Sequence, residues 1–304
     1  MSANIHISLS AEPIFNIGTF PITNSMFTSV IISTLIILFA FIANRQLKQT
    51  SKPSKIQNFA EFVVESFYHF CFGITGDMKK AQVFMPWVAT FFIFIILNNW
   101  SGLIPGVGYI FVPVATEVSA AHQLETPTTG NQDELAVVSP DESHAVAIEN
   151  LEKDVLILEG ESAAVAVEHG IEKAPLFRAG TADLNITLAL GLISVVMIQF
   201  FGFKFQGFRY LSKYFDFSSP INFFVGILEI VSEFAKIISF GFRLFGNIFA
   251  GEVLIAVLLY LTKAIVPVPF YGLEIFVGMI QAVVFSMLSL VLYNMATIGH
   301  HEEH

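Results

Sequence analysis

Within SFGFRLFGNIFAGEVLIAVLLYL, Ser239 to Leu261, a stretch apolar enough to live in lipid, stand Arg243, Asn247 and Glu252. A guanidinium keeps its proton up to a pKa above about 12, so Arg243 can supply only a fixed positive charge. A carboxylic acid such as Glu252 can take up and release a proton. Their separation of nine positions amounts to about half a turn around a helix axis and about 13 Å along it, so they look in opposite directions and do not pair. Upstream, Glu229, Ser232, Lys236, Ser239, Arg243, Gly246 and Asn247 recur at steps of three and four, which places them on one helix face. A second polar line, Glu274, Gly278 and Gln281, follows the same steps. Folded back antiparallel through a Pro267–Pro269 turn, it sets Gln281 near Arg243 and Glu274 near Glu252. A charge at the centre of a membrane helix costs about 2.5–3.5 kcal/mol on insertion scales, and such residues line bundle interiors or ion paths. The pattern reads as a permanent cation flanked by protonatable groups that reach toward water.

The elements that must hold these groups are membrane helices. Of 304 residues 54% are hydrophobic and only 13% charged, with a mean hydropathy of +0.69, and a span of the bilayer needs about 20 helical residues. The first span is expected at about Ser25–Ala43. Arg45, Lys48, Lys52 and Lys55 follow it, and basic flanks stay on the inner side. An amphipathic helix over 56–72 comes next, with Ile56, Phe59, Ala60, Val63, Val64, Phe67 and Cys71 on one side and Gln57, Asn58, Glu61 and Glu65 on the other. Lys79 and Lys80 precede a second span at about Val83–Ile104, closed by Trp100, Pro105 and glycines. The third span begins at TADLNITLALGL and returns to Lys204, Arg209 and Lys213. From Pro220 to Leu261 no further proline intervenes, so one helix of about 60 Å must tilt steeply or break. The last helix runs to about Ile298. The fold class is therefore all-α and polytopic, with about five membrane-embedded helices including a long tilted hairpin.

The net charge of −10 resides in one segment: residues 112–182 hold 13 acids and 3 bases. This is an acidic extramembrane insertion, with 122–143 irregular and 145–170 able to form a small hairpin. Residues 1–24 read as an outer tail without a secretory leader, 25–111 as the first two spans, and 183–304 as the third span, the hairpin and an inner C-terminal tail. The lone Cys71 excludes an internal disulfide, and the tail's His300, His301 and His304 are expected to be exposed rather than metal-binding. No GxxxxGK[ST] phosphate loop is present, so a self-contained ATPase is excluded.

FRLFGNIFAGEVLIAVLL, followed by IQAVVFSMLSLVLYNMA, closely resembles the signature of subunit a of the F-type rotary ATP synthase. The resemblance extends to TADLNITLALGL, NNWSGLIPG and ILEIVSEFAKIISF, and it covers nearly everything outside the insertion. It implies that Arg243 is the stator arginine facing the carboxylates of a rotating c-ring. It further implies that Asn247, Glu252, Glu274 and Gln281 line aqueous half-channels, with Glu229 on the inner approach. Lys236, Ser239, Asp183 and Asn185 stand as supporting residues, although Asp183 is most simply a helix cap and Lys236 could simply snorkel. The implied partners are c-ring subunits, peripheral-stalk b subunits, the remaining synthase subunits and the lipid bilayer, with protons rather than sodium as the cargo. No cofactor, metal or nucleic acid is implied. Nine of the fifteen basic residues fall in the proposed inner segments, so the N-terminus and insertion are expected outside a bacterial inner membrane and the C-terminus in the cytoplasm. The main alternative is a stand-alone channel or secondary transporter, which should show internal repeats; none is visible. A purely structural assembly subunit is the third reading.

Overall fold

The computed structural model describes residues 11–17, 20–46, 54–104, 111–115, 171–214, 219–262 and 266–298. Helices α1 (Asn24–Gln46), α2 (Lys55–Thr75), α3 (Met78–Ser101), α4 (Leu184–Gln206), α5 (Pro220–Leu261) and α6 (Val268–Ala296) account for most of them. A short antiparallel hairpin, β1 (Pro13–Ile17) and β2 (Phe20–Thr23), leads into α1. All helices except α2 are long and apolar enough to cross a membrane. The chain is an all-α polytopic membrane protein. The chain divides into two compact units, one formed by residues 1–110 and 175–304 and the other by 111–174. The second unit holds β3 (Phe111–Ala115) and most of β4 (Ile171–Pro175), which pair into a two-stranded sheet. The irregular and hairpin segments expected at 122–143 and 145–170 lie outside the described residues, as does the histidine-bearing tail.

Local chemistry sets the helix ends. Ser54 accepts from the backbone N–H of Gln57 at the start of α2, and Gly76 closes that helix with φ +64°, a left-handed conformation suited to glycine. Asp77 and Asp183 cap α3 and α4 by accepting from the N–H groups of Lys79 (2.8 Å) and Asn185 (2.9 Å). Ser219 and Pro220 open α5, which then runs 42 residues without a break. At 1.5 Å per residue it is about 63 Å long, twice the hydrocarbon thickness.

Packing pairs α3 with α6 and α4 with α5 most extensively. Phenylalanine dominates the core: Phe84 meets Phe201 edge-on at 4.8 Å, Phe201 meets Tyr293 at 4.9 Å, and Phe240 of α5 meets Phe285 of α6 at 4.9 Å. Between apolar helices in lipid, close approach and interhelical hydrogen bonds supply what water-driven burial supplies elsewhere. A Cβ on Gly191 would press on the Ile237 carbonyl, which marks the tight α4–α5 crossing. Ser194 and Ser289 share a hydrogen bond of 2.9 Å across α4 and α6. Asn98 accepts from Ser29 (2.9 Å), and Asn99 donates to the Gly278 carbonyl (2.9 Å), so both asparagines join helices.

Two sequence expectations change here. On α2 the packed face is Phe67, Tyr68, Cys71 and Ile74, whereas Phe59 is 57% exposed and Gln57 only 7%. The amide of Gln57 is satisfied by Glu61 at 2.8 Å, which lets it sit inside. The α2 apolar stripe is therefore split between protein contact and an outward apolar face. The second difference concerns residues 175–182, read from sequence as the end of the insertion. They group with the helices, and Ala179, Thr181 and Ala182 are buried in a run of small residues that lets the backbone approach closely.

Candidate functional site

Arg243 stands on the face of α5 turned away from its own bundle. The face with Phe240, Gly241 and Leu244 is buried. Beside Arg243 on its own side stand the exposed Ser232, Ser239, Gly246 and Ala250, and further round the helix Val231, Phe234, Ile238 and Phe242 are exposed as well. The guanidinium has one side-chain hydrogen bond among the described residues, Nη2 donating to Ser239 Oγ at a long 3.5 Å. No carboxylate pairs with it there. Ser232, Ser239, Gly246 and Asn247 share its exposure, so most of the polar stripe read from sequence is an outward line; Glu229 and Lys236 are half-buried.

Around and above Arg243 the polar groups turn inward. Asn247, one turn on, donates through Nδ2 to Gln281 Oε1 at 2.6 Å. Gln281 thus meets Asn247 rather than Arg243 itself. Its Nε2 is buried without a partner among the described residues, and so is Oε1 of Glu274. The Glu274 carboxylate lies where a Cβ on Gly251 would be, next in sequence to Glu252, so any larger residue at 251 would make that carboxylate shift.

Glu252 has a partner that sequence reading missed. Arg178, ahead of α4, donates from Nε (3.1 Å) and Nη2 (3.0 Å) to Glu252 Oε2. The arginine side chain is 9% exposed and the glutamate 38%. Arg178 also lies over the Phe249 ring at 5.9 Å. The available signal was APLFRAGTADL: a basic residue leading straight into small residues and a helix cap, inside a segment otherwise dominated by acids.

Toward the start of α5 a second polar cluster forms. Lys213 bridges to Glu229, and lies 3.8 Å from Glu233. Lys236 donates to Glu233 Oε1 at 2.8 Å, so it is paired rather than simply snorkelling. Glu233 is buried and was also missed, although Glu229, Glu233 and Lys236 fall at steps of four and three. Asp183 is engaged as the cap of α4, and Asn185 is exposed beside it.

Residues 26–294 match the family described as ATP synthase A chain. The chain belongs to that family. A similar protein is the ATP synthase subunit a of Gloeobacter violaceus, 29% identical over 280 residues, which are 92% of this chain and 86% of the relative. The family match takes in every residue of both polar clusters, Arg178 and Glu233 included. Membership makes the chain an integral-membrane, proton-translocating subunit of ATP synthase that works alongside the other subunits of that complex.

Proposed function

We propose that the chain is the stator against which a ring of c subunits turns, and that Arg243 faces the ring's carboxylates. The observation that carries this reading is the guanidinium exposed on α5 with no carboxylate partner among the described residues. A fixed charge exposed to lipid is expensive, and partner anions remove that expense. Further round the helix the exposed Phe234, Ile238 and Phe242 supply apolar surface on which a neutral ring site can slide.

In this reading a proton enters from the outer side past Glu252, Glu274, Asn247 and Gln281, and neutralises a ring carboxylate. The neutral site moves into lipid. After a turn, another site nears Arg243, whose positive charge stabilises the carboxylate anion, and its proton leaves inward past Lys236 and Glu229. Arg178 neutralises Glu252 within the subunit, so Glu274, with one oxygen unpartnered, is the carboxyl free to exchange the proton. Ser239 steadies Arg243, and Asp183 and Asn185 fix the start of α4. Each proton crossing a potential of 100 mV delivers about 2.3 kcal/mol. The peripheral-stalk b subunits hold the stator still. The N-terminus and residues 112–174 face outward from a bacterial inner membrane, and the C-terminus faces the cytoplasm.

The test is Arg243→Ala in the assembled complex in vesicles. Proton-driven ATP synthesis is expected to vanish while subunit composition is unchanged. Undiminished synthesis would refute the assignment.

A further inference from the structure

Glu233 has no part in the proton path proposed above, and its surroundings are unusual for a structural ion pair. Its carboxylate is buried between α5 and the 3₁₀ segment Gly207–Lys213 that follows α4. Oε1 accepts from Lys236, with Lys213 at 3.8 Å and the Tyr214 hydroxyl at 3.4 Å. Oε2 is buried and has no hydrogen-bond partner among the described residues. Buried carboxylate oxygens are almost always satisfied by protein, water or a proton. Glu233 also borders an open groove of about 270 Å³ between α4 and α5, walled mainly by Leu192, Val195, Val196, Phe234 and Ile237, with Gln199 and Tyr214 as the other polar residues at its edge.

We propose that Glu233 is a proton-binding station on the inner half-channel, between Arg243 and Glu229. The proposal rests on the stator reading. Ten residues separate Glu233 from Arg243, about 15 Å along the helix, and four separate it from Glu229, about 6 Å. A ring carboxylic acid gives its proton to water near Arg243, and the Glu233 carboxylate takes a proton from that water through its free oxygen. It then releases one proton to water on the Glu229 side, so the ring ends as carboxylate and Glu233 is restored.

Charge balance keeps the station from becoming a trap. Glu229 and Glu233 offset Lys213 and Lys236, so the cluster is neutral before the proton arrives and carries +1 after it. Tyr210 and Tyr214, the other titratable groups facing Glu233, act as donors; burial holds the Tyr214 phenol above its usual range. The Tyr214 hydroxyl lies 2.9 Å from Gln199 Oε1 as well as near Glu233, so its single proton can serve either acceptor.

The experiment measures ATP synthesis by the whole complex in vesicles, with the pH of each side set independently, for wild type, Glu233→Gln, Glu233→Asp and Arg243→Ala. Glu233→Gln is expected to lose at least fivefold in rate. The loss should shrink as pH is raised on the catalytic-sector side, where hydroxide can replace the missing acceptor, and ignore pH on the other side. Glu233→Asp should recover at least half the rate. Wild-type rates in Glu233→Gln, or a loss indifferent to pH on that side and unrelieved by aspartate, overturn the proposal. Arg243→Ala separates the two claims: if it abolishes synthesis while Glu233→Gln does not slow it, this inference alone fails. Should Glu233→Gln fail to assemble, Tyr214→Phe is expected to give a smaller deficit with the same pH dependence, and its absence overturns the proposal equally.

Discussion

Two arginines in this molecule meet the same problem in opposite ways. Arg178 is buried beside α5 with two of its N–H groups on Glu252 and an aromatic ring beneath it. Arg243, on α5 itself, is exposed with only a weak contact to Ser239 among the described residues. The first has its counter-charge inside the subunit; the second calls for one from outside. Pairing within the chain makes a charge structural, and leaving it bare on an exposed face keeps it available to a moving partner.

The contrast is sharpest in stability. Removing one member of a buried ion pair strands the other, so Arg178→Leu should destabilise the isolated subunit in detergent by about 2–3 kcal/mol, less than the 3–5 of a fully buried pair because Glu252 is partly exposed. Arg243→Leu, with no buried partner to strand, should change that stability by less than about 0.5 kcal/mol. Thermal or denaturant melts of the two variants check the pair, and equal losses would erase the distinction. A smaller effect tests the inward cluster. Gly251→Ala places a methyl where the Glu274 carboxylate lies and should slow ATP synthesis several-fold. In a Glu274→Ala background the same change should have little further effect, which a double-mutant cycle on synthesis rates measures. The smallest effect concerns the segment that carries Arg178. Asp183→Ala removes the cap of α4 and should cost about 1 kcal/mol in a melt, with a modest loss of rate as Arg178 shifts.

How much of this could be read from the chain differs by residue. The length of α5 was legible because no proline interrupts Ile221–Leu261, and the polar stripe was legible, though not the way it faces, because helical periodicity is a local property. Asp183 as a cap was legible for the same reason. The Arg178–Glu252 pair was not: 74 residues separate its members, and the arginine closes a segment whose acidic composition marks it as extramembrane. Glu233 was hidden differently. Ser232 and Glu233 each extend the three-and-four pattern from Glu229 to Lys236, and only the packing of Lys213 and Tyr214 shows which of the two is buried. The placement of Gln281 was approximate because antiparallel pairing fixes a neighbourhood of one turn, and the hydrogen bond to Asn247 settles the register within it.

The most direct measurement is a map of the assembled complex in which side chains are visible at Arg243. It should place the guanidinium against the ring, within about 4–6 Å of a ring carboxylate, the range over which an opposite charge governs proton release. A guanidinium found among lipid tails, or folded back onto Glu252 and Gln281 of its own subunit with no ring beside it, would contradict the account.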